Sequence, residues 1–411
     1  MENAPMTDDR DRLREHLASG RARRLPRLGA WPRLASTILL ATLGCSDSPG
    51  GPADPLFVRY VAIGNSITAG FQAAGISDAT QRASFPALIA RQAGARYEYA
   101  SLGAGCPRPL TSLADAFSGG FDGACTVTGS PGRKQLNNVA VPGADSFDPT
   151  APSPDGRQLT ALILDGRNQV DKALEQTPTL VTIWIGNNDV LGAAIEGQLS
   201  AERPTDRLVF AANYARMVNQ LTAGGVEKGI LIGVADVTRI PLLIPAPALL
   251  SPTLRFALDI AAGEPVAVDA GCAGSSALVS LAIVTAIATG VHPPTIACGP
   301  TADPAVGTRF VLDVAEQSAI NRAVTEYNTY ISAKADSVGF AFLDPNPILA
   351  AARARGEIPA TPNLADPAQP FGPLFSLDGV HPSNAGHILI ANALIDVIAA
   401  EFGVRLRHVP R

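Results

Sequence analysis

Five short apolar runs, spaced along the chain and separated by stretches of helical periodicity, leave this sequence few folds to choose from. Residues 56–63 read as a buried strand that stops at Gly64, and 138–141, 180–185, 229–234 and 340–343 have the same character. Helical patterns lie near 157–175, 207–223, 314–337 and 386–402. Strands that alternate with helices predict an α/β fold, a parallel sheet covered on both faces. The apolar share of 46% is enough for a large core, and a charged share of only 17% argues against wholesale disorder.

The N-terminus has the marks of a targeting segment. Eight arginines and five acidic residues fall before residue 34, and an apolar run from Leu34 to Gly44 leads to Cys45. A positive region, a short apolar region and small residues before a cleavage point describe a secretory signal. The run is about half the ~20 residues that a spanning helix needs. Leu43-Gly44-Cys45 resembles the end of a bacterial lipoprotein signal, which implies lipidation of Cys45; an ordinary cleaved signal is the alternative. The expected division is a signal over 1–44, an anchor and flexible linker over 45–55, and a folded domain over 56–405. Loss of residues 1–44 takes the net charge from −5 to −8, and no long basic stretch follows residue 34. Nucleic-acid binding is therefore not expected. The expected place is outside the cytoplasm, as a periplasmic or cell-surface lipoprotein or a secreted protein.

Four further cysteines fit an oxidising compartment. They allow three connectivities, of which the sequence-local one joins Cys106 to Cys125 and Cys272 to Cys298. No Cys or His pair has zinc-ligand spacing, so no metal is expected. Two regions break the strand–helix alternation. Residues 103–135 are rich in Gly, Ser and Pro. Residues 240–310 form an apolar, Pro-rich insert, in which 275–291 runs seventeen residues without a charge. Ala, Ser, Thr and Gly dilute that run, so a packed or lid-forming helix is expected in preference to a membrane span.

Four local patterns carry chemistry. In Gly64-Asn65-Ser66-Ile67-Thr68-Ala69-Gly70 a serine directly follows a buried strand, at the sheet edge where open α/β folds place their sites. In Asp378-Gly379-Val380-His381 an acid stands three residues before a histidine. A hydroxyl needs a base to become a nucleophile, and the base needs an orienting group. Ile185-Gly186-Asn187-Asn188-Asp189 and Asn138-Val139-Ala140-Val141-Pro142-Gly143-Ala144 end two strands, where amide or backbone N–H donors can gather. Taken singly, these are a helix cap, a loop turn and two strand-end turns.

In chain order, the four patterns resemble the SGNH/GDSL hydrolase family across residues 57 to about 400. The resemblance implies a three-layer α/β/α sandwich of flavodoxin-like type. It implies Ser66 as nucleophile, with His381 and Asp378 completing a triad. It also implies an oxyanion hole made by the backbone N–H groups of Ser66 and Gly143 and the side chain of Asn188. Gly103 is a rival for the glycine. The family carries Asp where this chain has Asn65, which keeps the size and loses the charge. The implied reaction is two-step acyl transfer from an ester, with no cofactor. The apolar insert favours lipid or long-chain acyl esters. A polysaccharide O-acetylesterase and a non-catalytic surface lipoprotein that uses the same fold for binding are the alternatives. His387 is expected on a helix face and His292 in a structural role.

Overall fold

A computed structural model describes residues 54–112, 135–151, 158–299 and 309–411. Cys45 and Cys125 lie outside the described residues, and with them the expected lipidation and the Cys106–Cys125 pairing. In chain order the strands among the described residues are β1 (Tyr60–Gly64), β2 (Leu180–Trp184), β3 (Gly229–Ile232), β4 (Leu243–Pro245), β5 (Ala267–Val268), β6 (Leu278–Ser280), β7 (Thr295–Ile296), β8 (Val311–Leu312) and β9 (Ala341–Leu343).

The central sheet has the order β1-β2-β3-β9 and is parallel throughout. Its side chains alternate between faces, as the two-residue period of a strand requires. Val61, Ile63, Val181, Ile183 and Leu231 share one core with Phe210, Tyr214, Ile320 and Tyr327 of helices Arg207–Ala223 and Val314–Val338. Tyr60, Leu180, Trp184, Ile230 and Ile232 share another with Phe85 and Ile89 of helix Phe85–Gln92 and with Leu394, Ile395 and Ile398 of helix Asn384–Phe402. Two cores on opposite faces of one sheet make the three-layer α/β/α sandwich.

The strand expected at 138–141 runs beside the free edge of β1, but irregularly. Ala62 N–H donates to Asn137 O at 2.8 Å, Val139 N–H to Ala62 O at 2.9 Å and Val141 N–H to Gly64 O at 3.1 Å. The asparagines disturb the ladder: Asn137 Nδ2 donates to Tyr60 O at 2.7 Å, and Asn138 Oδ1 accepts from Ala140 N–H at 3.1 Å. Such local side-chain bonds compete with strand pairing. Likewise 56–63 opens as a 3-10 turn, Pro55–Phe57, capped by Asp54, before β1 starts at Tyr60. The helical stretch at 157–175 is two helices, Gln158–Leu164 and Gln169–Leu174, parted by Asp165 and Gly166, both at positive φ.

The insert corrects another expectation. Residues 275–291 are not one helix: β6 comes first, and helix Ala282–Ala288 follows. β6 lies between β4 and β8 in a three-stranded antiparallel sheet, with Val279 opposite Ile244 and Val311. The insert has a core of its own, in which Ile244, Leu249, Leu258, Val279, Ile283 and Ile287 are all buried. Cys272 and Cys298 are joined by a disulfide.

Candidate active site

The site begins where β1 ends. Gly64 packs against Thr68, and a Cβ on it would come within 2.1 Å of Thr68 Oγ1, so only glycine lets the chain turn here without pushing Thr68 aside. Asn65 then caps the short helix Ser66–Ala69, its Oδ1 accepting from Ile67 N–H at 3.1 Å. A serine thus stands at the carboxyl edge of the sheet with only 7% exposure.

His381 arrives from the other end of the chain, on the loop before helix Asn384–Phe402. Its Nε2 lies 2.9 Å from Ser66 Oγ, and its Nδ1 lies 2.8 Å from Asp378 Oδ2. The carboxylate of Asp378 is itself well held. Oδ1 accepts from the N–H groups of Val380 (2.9 Å) and His381 (2.8 Å) and from Ser376 Oγ (3.0 Å). Oδ2 also accepts from Ala74 N–H at 2.7 Å. Burial alone would push the Asp378 carboxyl up, but the facing His381 and these hydrogen bonds hold it down at about 2. It is therefore an anion at neutral pH, suited to fix one ring nitrogen of His381 as donor.

The sequence reading missed the segment that supplies Ala74. Ala73 and Ala74 both adopt positive φ, 50° and 55°. This turns Ala73 N–H to Ser376 Oγ at 2.8 Å and Ala74 N–H to Asp378. Left-handed alanine costs of order 1 kcal/mol each, and alanine carries no turn signal by which such a bend could be found. Phe71, just before, sets its ring 4.8 Å from the imidazole of His381.

The two other patterns meet at the same edge. Gly143 has φ +86° in the turn after the segment paired with β1, and its N–H has no partner among the described residues. Asn188 opens helix Asn188–Glu196 beyond β2, and its Nδ2 donates to Ala144 O at 2.8 Å, leaving a second amide hydrogen. Ser66, Asn188 and His381 all line one pocket of about 420 Å³; Gly143 is not part of its wall. Ile232, Leu343, Ile348, Leu349, Leu389 and Ile390 contribute much of that wall. Asp189 is buried to 1% exposure, and burial, against the pull of its Ser146 hydrogen bonds, pushes its carboxyl up to about 7.

His387 lies on the helix Asn384–Phe402, fully buried, with Nδ1 accepting from Phe85 N–H at 3.3 Å. Burial, with a smaller contribution from His381, holds it down at about 3, so it is neutral and structural. His292 sits in the insert with Nδ1 2.7 Å from Pro293 O. Gly103 uses its carbonyl to accept from Asp78 N–H at 3.0 Å. Among the described residues no group of three or more His, Cys, Asp or Glu is placed to hold a metal ion.

A three-layer sandwich with a serine, a histidine and an acid joined at the carboxyl edge of its sheet defines a class of ester hydrolases. The sequence pattern of the GDSL-like lipase/acylhydrolase family matches residues 60–394, and the chain belongs to that family. It is a carboxylic ester hydrolase. Solved structures similar to it include an acetyl xylan esterase (12% identity, 82% of this chain and 99% of that one, TM-score 0.35). An extracellular lipase from Streptomyces rimosus gives 16% identity, 82% and 98% coverage, and a TM-score of 0.34. A variant of an acetyl-xylooligosaccharide esterase from Geobacillus gives 16% identity, 85% and 100% coverage, and a TM-score of 0.36. No curated protein sequence matches the chain.

Proposed function

We propose that the chain hydrolyses acyl esters through a covalent intermediate on Ser66, and that lipid or long-chain esters are its substrates. The observation that carries this reading is the unbroken hydrogen-bonded line from Ser66 Oγ through His381 to Asp378, opening on a mainly apolar pocket. His381 Nε2 takes the Ser66 proton as Oγ attacks the ester carbonyl, and Asp378 steadies the imidazolium that forms. The negative charge gathers on the former carbonyl oxygen, where the Ser66 and Gly143 N–H groups and the Asn188 amide donate to it. His381 then protonates the leaving alcohol. In the second half it deprotonates a water molecule, which releases the acid and restores Ser66.

The acyl chain lies against Ile232, Leu343, Ile348, Leu389 and Ile390. Their apolar surface rewards each added methylene by about 0.8 kcal/mol when it is buried. Export fits the Cys272–Cys298 disulfide, since such bridges persist in oxidising compartments. A lipid anchor on Cys45 completes the proposal for where the enzyme works.

The test is hydrolysis of p-nitrophenyl esters from acetate to palmitate by the purified protein and by Ser66→Ala. Turnover that needs Ser66 and rises with chain length supports the reading. Ser66-dependent turnover of acetate alone replaces the substrate class with acetylated glycans. Full turnover by Ser66→Ala overturns the assignment of the nucleophile, and silence of the folded protein on every ester favours a binding role.

A further inference from the structure

Asp189 is a buried carboxylate that no cationic side chain neutralises among the described residues. Burying a charge without a counter-charge costs stability. What the carboxylate gives in return is visible in its hydrogen bonds. Oδ2 accepts from Ser146 N–H at 2.9 Å, Oδ1 accepts from Ser146 Oγ at 2.7 Å, and the Thr205 hydroxyl also donates to the carboxylate. Asn213 Nδ2 braces the same hydroxyl at 3.3 Å. The neighbouring side chain, Asn188, donates to Ala144 O. Two consecutive residues at the start of one helix therefore grip two alternate residues of the segment that follows Gly143. The start of that helix is anchored in turn: Thr205 N–H donates to Asp189 O at 2.9 Å, and the Arg203 guanidinium donates to Asn188 O.

We propose that Asp189 is a positioning residue which, through Ser146, fixes the Gly143 N–H relative to the Asn188 amide and so aligns two donors for the oxyanion. The inference rests on the reading of the site given above. Oxyanion donors work only when they are already in place around the position the charged oxygen will take, and a displacement of about 1 Å can cost ~10² in rate. The elevated position of the Asp189 carboxyl, pushed further up by Asp145, agrees with a group held where packing alone would not favour it. Asparagine at 189 keeps one acceptor for Ser146, turns an NH₂ group towards the other bond, and has no charge to desolvate. It therefore separates alignment from folding.

The experiment compares Asp189→Asn, Ser146→Ala and the double variant in the full-length protein. It measures kcat, KM, Tm and affinity for a trifluoromethyl ketone, which forms a stable oxyanion adduct with a serine. We expect kcat to fall about tenfold to a hundredfold, with ketone affinity falling in proportion and KM changing by less than about threefold. Tm of Asp189→Asn should hold or rise. The double variant should be no slower than the slower single variant, because both break one connection. Unchanged kcat and ketone affinity, losses that multiply, or losses that follow a falling Tm would each overturn the proposal. If Asp189→Asn does not fold, Ser146→Ala, which removes only a hydroxyl, carries the same comparison. A Ser66→Ala control keeps the two readings apart. If it remains active, the assignment of the site fails; if it is silent while Asp189→Asn works at full rate, only the role of Asp189 fails.

Discussion

One carboxylate, Asp378, binds both the ring and the backbone of the same residue, His381: Oδ2 takes Nδ1 at 2.8 Å and Oδ1 takes the main-chain N–H at 2.8 Å. The short Asp-Gly-Val-His spacing makes this double hold possible, so the imidazole cannot turn without breaking contact with its own loop. Asp378→Asn can still accept from the backbone, but it offers the ring a neutral amide. We expect kcat for p-nitrophenyl butyrate to fall by roughly 10²–10⁴, as loss of an orienting acid does in serine hydrolases. The folded structure should persist by circular dichroism, and turnover within a factor of two of the parent would place the orienting acid elsewhere.

Asp378 and Asp189 should leave opposite marks on stability against pH. Asp378 stands at about 2 in the folded protein, below its ordinary 3.8, so it contributes stability above pH 4 that is lost as pH falls through 2. The shift corresponds to about 2 kcal/mol. Asp189 stands at about 7, above 3.8, so the folded state keeps its proton longer and stability declines as pH climbs from 4 to 7. Asp145 and Tyr327 face Asp189 and share its charge balance. Urea titrations from pH 2 to 8 check both. The gap between the parent and Asp378→Asn should narrow below pH 4, and the decline from 4 to 7 should be flatter in Asp189→Asn. Parallel curves for parent and variants would remove these assignments.

How much of this site could be read from the chain depends on how local its signals are. Ser66 and the Asp378–His381 pair each sit in a turn of a few residues whose chemistry is spelled in sequence, and the structure brings them into hydrogen-bonding distance although 315 positions separate Ser66 from His381. Ala73 and Ala74 were illegible, because their left-handed backbone is imposed by Ser376 and Asp378, about 300 residues away. The run 275–291 misled for a related reason. An uncharged stretch of Val, Ile, Ala and Ser suits a buried strand or a buried helix equally. What decides is that Val279 pairs with Ile244 and Val311, which periodicity cannot show. At 138–141 the apolar pattern was right about the place beside β1, and the two asparagine side chains account for the irregular pairing.

The pocket wall offers a test of substrate length that leaves the reacting groups alone. Ile348 lines the pocket from helix Asn346–Ala354, on neither of the loops that carry Ser66 and His381. Ile348→Trp adds bulk where an acyl chain is expected to lie. We expect kcat/KM on palmitate to fall at least about tenfold, the scale of one or two kcal/mol of lost burial or added crowding. Acetate should be turned over as before. Equal losses on both esters would indicate a general distortion, and no loss on either would place the chain elsewhere.

The insert is hydrogen-bonded to the histidine loop at Gly379. Leu242, just before β4, donates its N–H to Gly379 O at 3.0 Å, and Leu281 N–H donates to Leu242 O at 3.0 Å. Gly379 lies between Asp378 and His381 at φ +65°, and an added Cβ would meet Leu242 N at 3.0 Å and Phe371 Cε2 at 3.2 Å. Alanine there takes an unfavourable left-handed backbone and crowds the insert at once, costs of about 1 kcal/mol each. Gly379→Ala should therefore lower Tm and reduce kcat together, because the strain falls on the loop that aims His381 at Ser66. Asn tolerates the left-handed region better than alanine but meets the same neighbours, so Gly379→Asn should recover only part of the loss. A Gly379→Ala protein with parental Tm and kcat would mean that the loop can yield here without moving the imidazole, and that the insert does not influence the site by this route.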